Sequence, residues 1–168
     1  VTAVAPDGSG NVYVAGFTDA GDFPTTVGTL QEQKAGGYDG FVAKFDGAGN
    51  RLWASFLGGT ANDRISDLAV AANGDVVVVG QTSNGVGVVF PTTPGAFDET
   101  PGHASIPFTD AFVSRITADG SAFVFSTYLG GTQRDEASSV ALGSDDRVYV
   151  GGLTGASDFP ATPGAFDE

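Results

Sequence analysis

Aspartates recur in this chain at matched places. Asp63 and Asp135 each stand four residues after a Gly-Gly pair, Gly58-Gly59 and Gly130-Gly131. Aspartates repeated along one rim are candidate oxygen ligands for Ca²⁺, a hard cation that takes six to eight oxygens. One Asp per repeat supplies few of them. The same residues therefore read first as acceptors that hold a loop through backbone N–H bonds. Asp39 and Asp110, each opening an apolar segment, take the same structural reading. The stretch Asp7-Gly8-Ser9-Gly10-Asn11 has a superficial look of a Ca²⁺ loop. It lacks the alternating Asp/Asn positions and the distal Glu, so it reads as a hairpin turn. Asp145-Asp146 fills the equivalent turn further on.

Other chemistry is sparse. His103 is the one histidine. A Ser-His-Asp triad would have to use it, yet no Gly-x-Ser-x-Gly elbow accompanies it and no metal-ligand spacing surrounds it. It reads as an exposed loop residue. Gly85-Val86-Gly87 has neither Walker nor dinucleotide spacing. Cysteine is absent, which removes disulfides and thiol chemistry. No close Asp/Glu pair has defined acid and base roles. The sequence thus predicts no catalytic residue and no cofactor. Trp53, Phe56, Phe125 and Tyr128 sit at matching places and suit either sugar stacking or packing between sheets, with packing the default. Lys44 and Arg115 are equivalent positions whose expected role is pairing with an acidic neighbour.

Composition narrows the partners. The formal charge is -13, from 20 acidic and 7 basic residues. Phosphate would be repelled, so nucleic acid is excluded as an expected partner. No stretch approaches the ~20 apolar residues of a membrane span. The 26 Gly and 13 Phe, with 41% hydrophobic residues, fit a strand-rich globular chain with many tight turns.

These residues are carried on a repeat. Asp39–Phe45 returns as Asp110–Ile116, 71 positions later, and Leu57–Thr60 returns as Leu129–Thr132, 72 positions later. Phe23-Pro24-Thr25-Thr26 recurs at Phe90–Thr93 and at Phe159–Thr162. A long period with matched turn residues marks a modular array. The second copy predicts strands at Ile65–Ala71, Asp75–Thr82, Asp110–Thr117 and Ala122–Leu129. The first copy predicts them at Ala3–Ala5, Asn11–Thr18, Asp39–Asp46 and Arg51–Leu57. A third copy predicts Ala137–Leu142 and Arg147–Leu153 only. The prolines in the long connection cannot donate to a ladder, and the Phe-Pro-Thr-Thr connection with Phe97 or Phe166 reads as a loop pinned by its own aromatics. No segment has a helical period. Apolar runs such as Val76–Val79 indicate sheets covered on both faces.

The fold class that follows is all-β, with β-propeller blades of four antiparallel strands, about two and a half of them present. Residues 1–60 form the first blade, 61–132 the second and 133–168 the first half of a third. The motifs at Asp110–Arg115, Ser126–Gly131, Asp135, Arg147–Thr154 and Asp158–Phe166 resemble the bacterial β-propeller repeat family known as SBBP repeats. The earlier copy matches at Asp39–Lys44, Ser55–Gly59, Asp63, Asp75–Thr82 and Phe90–Phe97. The resemblance implies a secreted or cell-surface bacterial protein and brings no catalytic residues with it.

A closed propeller needs at least about four blades. A blade face of roughly 400 Å² left wet forgoes up to ~10 kcal/mol, against a whole-domain stability of about 5–15 kcal/mol. The expectation is that this chain is part of a longer propeller, or that further blades or other chains cover its ends. The expected function is a non-enzymatic scaffold or interaction module that binds protein or glycan through rim loops. The connection 84–109 is seven residues longer than its counterpart, since Thr82 to Asp110 is 28 and Thr18 to Asp39 is 21. Its Asn84, Phe90, Phe97, His103 and Phe108 are the candidate contact residues. The rival roles are an accessory subunit of a large assembly and a non-catalytic portion of a propeller hydrolase or lyase.

Overall fold

A computed structural model describes residues 1–83, 87, 89–102 and 108–166. Ten strands follow in order: β1 (Ala3–Pro6), β2 (Val12–Thr18), β3 (Asp39–Phe45), β4 (Arg51–Leu57), β5 (Asp63–Val70), β6 (Val76–Ser83), β7 (Thr109–Ile116), β8 (Phe123–Leu129), β9 (Asp135–Leu142) and β10 (Val148–Thr154). They form two four-stranded antiparallel meanders, β1-β2-β3-β4 and β5-β6-β7-β8, and a two-stranded pair, β9-β10. Among the described residues no helix is long and apolar enough to cross a membrane.

The hairpin turns share one chemistry. Asp7, Ala71 and Gly143 each donate a backbone N–H to the carbonyl four residues on, at 2.8, 2.8 and 2.9 Å. The fourth residue of each turn has positive φ: Gly10 at 83°, Gly74 at 87° and Asp146 at 65°. A type I turn closed by one left-handed residue needs Gly there, or Asp/Asn at some cost. That requirement is why turn signals recur at fixed spacing along the sequence.

The run Val76–Val79 is buried throughout because its two faces serve two cores. Val76 and Val78 pack with Tyr13, Val42, Trp53, Leu57 and Ile65 between the first two sheets. Val77 and Val79 pack with Ala111, Val113 and Ala137 against the β9-β10 pair. Alternate side chains of a strand point to opposite faces, so a sheet covered on both sides reads as continuously apolar.

Two strands start earlier than the apolar pattern predicts. β5 begins at Asp63 and β9 at Asp135, where the sequence placed Ile65 and Ala137. Asp63 is paired with Thr82, and its N–H donates to the Tyr38 carbonyl at 2.7 Å. A register shift between Ile65 and Asp67 lets the polar residue enter the ladder without moving the apolar face.

Candidate functional site

Antiparallel connectivity sorts the loops by length. The tight turns lie at one end of the sheets. The long connection 19–38, the described residues 89–102 between β6 and β7, and the joints between sheets lie at the other. Asp39, Asp63, Asp110 and Asp135 all stand at this loop-bearing rim, and all are buried.

Each of these carboxylates fastens backbone. Asp39 accepts N–H bonds from Ala35 at 2.8 Å and Gly36 at 2.9 Å, and one from the Gln31 side chain at 3.0 Å. Asp110 accepts from Gly102 at 2.9 Å. The Oδ2 of Asp63 takes the Gly59 N–H at 2.7 Å, and that of Asp135 takes the Gly131 N–H at 2.8 Å. The Gly-Gly pairs are needed for this clasp. A Cβ on Gly58 would lie 2.7 Å from Asp63 Oδ2, and one on Gly130 would lie 2.5 Å from Asp135 Oδ2. Asp63 and Asp135 open different sheets, and no cluster of three or more acidic or histidine side chains stands ready for a metal among the described residues. Their geometry is that of clasps between successive sheets.

Asp63 has an unusual protonation equilibrium. Burial pushes its carboxyl up from the ordinary 3.8 to about 6, and the nearby Asp39 adds to the rise. The Thr82 hydroxyl and the Gly59 N–H oppose it.

The long connections are built on one plan. Phe23 packs against Phe41 and Phe56, with ring centroids at 4.6 and 5.4 Å. Phe90 stacks on Phe112 at 4.3 Å and meets Tyr128 at 6.1 Å. Beyond the Phe, the loop runs along the outer strand of its own sheet. Thr26 N–H donates to the Ala54 carbonyl and Thr93 N–H to that of Ser126, both at 2.9 Å. Phe56 N–H then reaches the Gln31 carbonyl, and Tyr128 N–H that of Asp98, both at 3.0 Å. Glu32 and Glu99 close the two loops by accepting from Gly28 at 2.8 Å and Gly95 at 2.7 Å. The outer edges of β4 and β8 are thereby covered by their own chain. Neither the edge cover nor the two Glu closures is visible from local pattern.

This plan corrects part of the candidate contact set. Phe90 is fully buried, so it is a core residue and not a contact residue. Of the loops' own aromatics, Phe23 and Phe90 are the ones packed on the sheet, while Phe97 and Phe166 are exposed. Phe97 and Phe108 remain on the surface, at 68% and 38% exposure. Asn84 and His103 lie outside the described residues.

The fourth-strand aromatics are packing residues. Trp53, Phe56 and Tyr128 are buried. Trp53 donates its indole N–H to the Ala118 carbonyl across the sheets at 3.0 Å, and the Tyr13 hydroxyl donates to the Gly74 carbonyl at 2.6 Å. The basic residues pair at the turn-bearing end. Lys44 lies 3.6 Å from Asp7 and over the Tyr13 ring at 4.7 Å. Arg115 bridges Asp75 in its own sheet at 3.0 Å and Asp146 in the next at 2.6 Å. The first joint between sheets therefore uses neutral donors on carbonyls, and the second an ion pair.

Four-stranded antiparallel sheets stacked face to face and joined by short links define a β-propeller module. Residues 124–160, from the end of the second sheet through the β9-β10 pair to Pro160, match the model of the beta-propeller repeat SBBP. Over 123 residues the chain is 36% identical to "Regulatory protein FlaEY" of Caulobacter vibrioides. The matched stretch is 73% of this chain and spans only 12% of that relative's length.

Proposed function

We propose that this propeller module is a non-enzymatic scaffold that binds protein or glycan through its loop-bearing rim, on a secreted or surface-exposed bacterial protein. The observation that carries the reading is the division of labour at the rim. Asp39, Asp63, Asp110 and Asp135 are each engaged with backbone amides, while the exposed Phe97 and Phe108 stand within the longest connection. Rigid sheets presenting an extended irregular loop are a common platform for recognition. The name of the Caulobacter relative, a regulatory protein, accords with a role in interaction rather than turnover. The secreted setting is supported by the family resemblance.

The test is a comparison of the chain with a variant lacking residues 103–107, which keeps Phe90 through Gly102, and with it the Asp110 bond, in place. Both would be screened on a bacterial glycan array and against envelope proteins separated on a blot. We expect a ligand held by the parent chain and weakened by about tenfold or more in the shortened one, the scale of losing a recognition anchor. Equal binding by both overturns the rim-loop assignment. Turnover of a glycan or peptide that disappears on substituting paired acids would replace the scaffold with a hydrolase or lyase.

A further inference from the structure

Seven basic residues stand against 20 acidic ones, so every cation has carboxylates to choose from. Lys44, Arg115, Arg134 and Arg147 each lie against one. Lys34 donates to the Gly36 and Gly37 carbonyls at 2.5 Å, and Arg51 to that of Pro24. Among the described residues Arg64 has neither kind of partner. It is exposed beside Asp63 on β5, at the loop-bearing rim. Its guanidinium lies over the rings of Phe17 and Tyr38, 4.8 and 5.2 Å from their centroids. The two rings meet edge to face at 5.8 Å. Ring faces attract the cation and leave its N–H fork to other acceptors.

This seat is firmly built and belongs to one joint. The Tyr38 N–H donates to Asn62 Oδ1 at 3.0 Å, the Asp63 N–H to the Tyr38 carbonyl at 2.7 Å and the Gly37 N–H to the Ala61 carbonyl at 2.9 Å. These bonds fix the end of the first long connection against the start of β5. The repeat supplies a control. Strand pairing makes Gln81, Thr109 and Glu136 the counterparts of Phe17, Tyr38 and Arg64. None of the three is aromatic or basic, and Glu136 is neutralised by its neighbour Arg134 at 2.5 Å. Two sheets of this kind therefore stack without a cation on rings. The trio is an addition to the first joint and not a requirement of the fold.

We propose that Arg64, seated on Phe17 and Tyr38, is the anchor through which the rim takes an Asp or Glu side chain from an otherwise basic surface of a protein partner. This gives the rim a partner chemistry, and it rests on the reading that the rim carries recognition. A guanidinium fork matches a carboxylate bidentately. Holding the fork on two rings before binding reduces the side-chain freedom lost when the partner arrives. The net charge of -13 selects between partners. An acidic polymer is repelled at long range, whereas a basic surface is drawn in, and an acid set within that surface meets the one exposed guanidinium that has no carboxylate of its own.

The test titrates the 168-residue chain with the fluorescently labelled peptide Lys-Gly-Lys-Glu-Lys-Gly-Lys, capped at both ends. Binding is read from the anisotropy of the label, and the site from the arginine Nε–H resonances, that of Arg64 being the one lost in Arg64→Gln. We expect saturable binding that shifts the Arg64 resonance. A peptide with Gln in place of its Glu should bind about tenfold or more weakly, as should the Glu peptide to Arg64→Gln, and Arg64→Lys should restore little. The Gln peptide is tested on the parent chain, so the outcome does not depend on how the variants fold. Equal binding of the two peptides, no saturation, an unmoved Arg64 resonance, or an oligogalacturonate that binds more tightly than the Glu peptide would each overturn the proposal. Residues 103–107 do not enter this readout, so the rim-loop assignment and the Arg64 anchor fail separately.

Discussion

Phe90→Ala is expected to destabilise the chain by about 3–5 kcal/mol, the cost of emptying a fully buried aromatic site. The size follows from position. Phe90 is fully buried, stacks on Phe112 and places its backbone N–H on the Tyr128 hydroxyl at 2.9 Å. Removing the ring opens a cavity at the joint between the first two sheets, and it also releases the loop that covers the edge of β8. Phe97, seven residues on in the same loop, is 68% exposed, and Phe97→Ala should stay within about 0.5 kcal/mol of the parent. Urea unfolding distinguishes the two. The midpoint should fall sharply for Phe90→Ala with little change in slope, and hardly move for Phe97→Ala. Comparable losses in both variants would mean that the loop is not fastened by its first aromatic.

The second large effect is one of pH. Asp63 has its carboxyl raised from 3.8 to about 6, chiefly by burial. Between those values the folded chain holds a proton that the unfolded chain has released. Stability therefore falls as pH rises through this window. The contribution is fully present below about 3.8 and lost above about 6, and a shift of this size corresponds to about 3 kcal/mol. Asp63→Asn keeps an oxygen to accept the Gly59 N–H and carries no charge. The stability of the parent measured against this variant should therefore decline by about that amount from pH 4 to pH 7. Asp7 and Asp119 have carboxyls lowered to about 2, Asp7 mainly by the Asn11 side chain and Asp119 mainly by the Thr117 hydroxyl. Their contributions are lost only as pH falls below the ordinary carboxylate range, and they cancel in the comparison. A difference between parent and variant that stays flat with pH would show that Asp63 is not ionised at a cost in the joint.

The strands were legible in the sequence because turn chemistry and apolar runs agreed. Gly10, Gly49, Gly74 and Gly120, with φ of 83°, 84°, 87° and 74°, stand where a left-handed residue is required, and such positions can be read locally. Val76–Val79 announced a sheet covered on both faces. What escaped was long-range. The pairing of Asp63 with Thr82 depends on a bulge that no local pattern marks. The bonds from Thr26 to Ala54 and from Thr93 to Ser126 join residues 28 and 33 apart. The contrast between Phe90 and Phe97 was the costliest miss, and a signal for it existed. Phe recurs at positions 23, 90 and 159, whereas the counterpart of Phe97 in the first copy is Leu30. Phe23 and Phe90 pack on the third-strand rings of Phe41 and Phe112, which favours a ring at the first position, whereas the second holds Leu30 in one copy and Phe97 in the other. At the rim, each of the four aspartates accepts at least one backbone N–H, a loop-holding arrangement that Asp beside Gly makes possible. The cross-sheet ion pair of Arg115 with Asp146 needed the third dimension to be seen.

Successive sheets stack face to face, and Trp53 reports on that contact alone. It is the single tryptophan, 5% exposed, on β4 of the first sheet. Its indole N–H meets Ala118 of the second sheet, and a Cβ on Gly120 would fall 2.6 Å from its ring. The measurement is the fluorescence emission of Trp53 in the folded chain and in Gly120→Val. The stacked arrangement gives a blue-shifted, quencher-protected indole in the parent and a red-shifted, quencher-accessible one when position 120 acquires a side chain. Water-exposed emission in the folded parent, or a spectrum indifferent to the substitution, would show that these sheets do not pack as neighbouring blades.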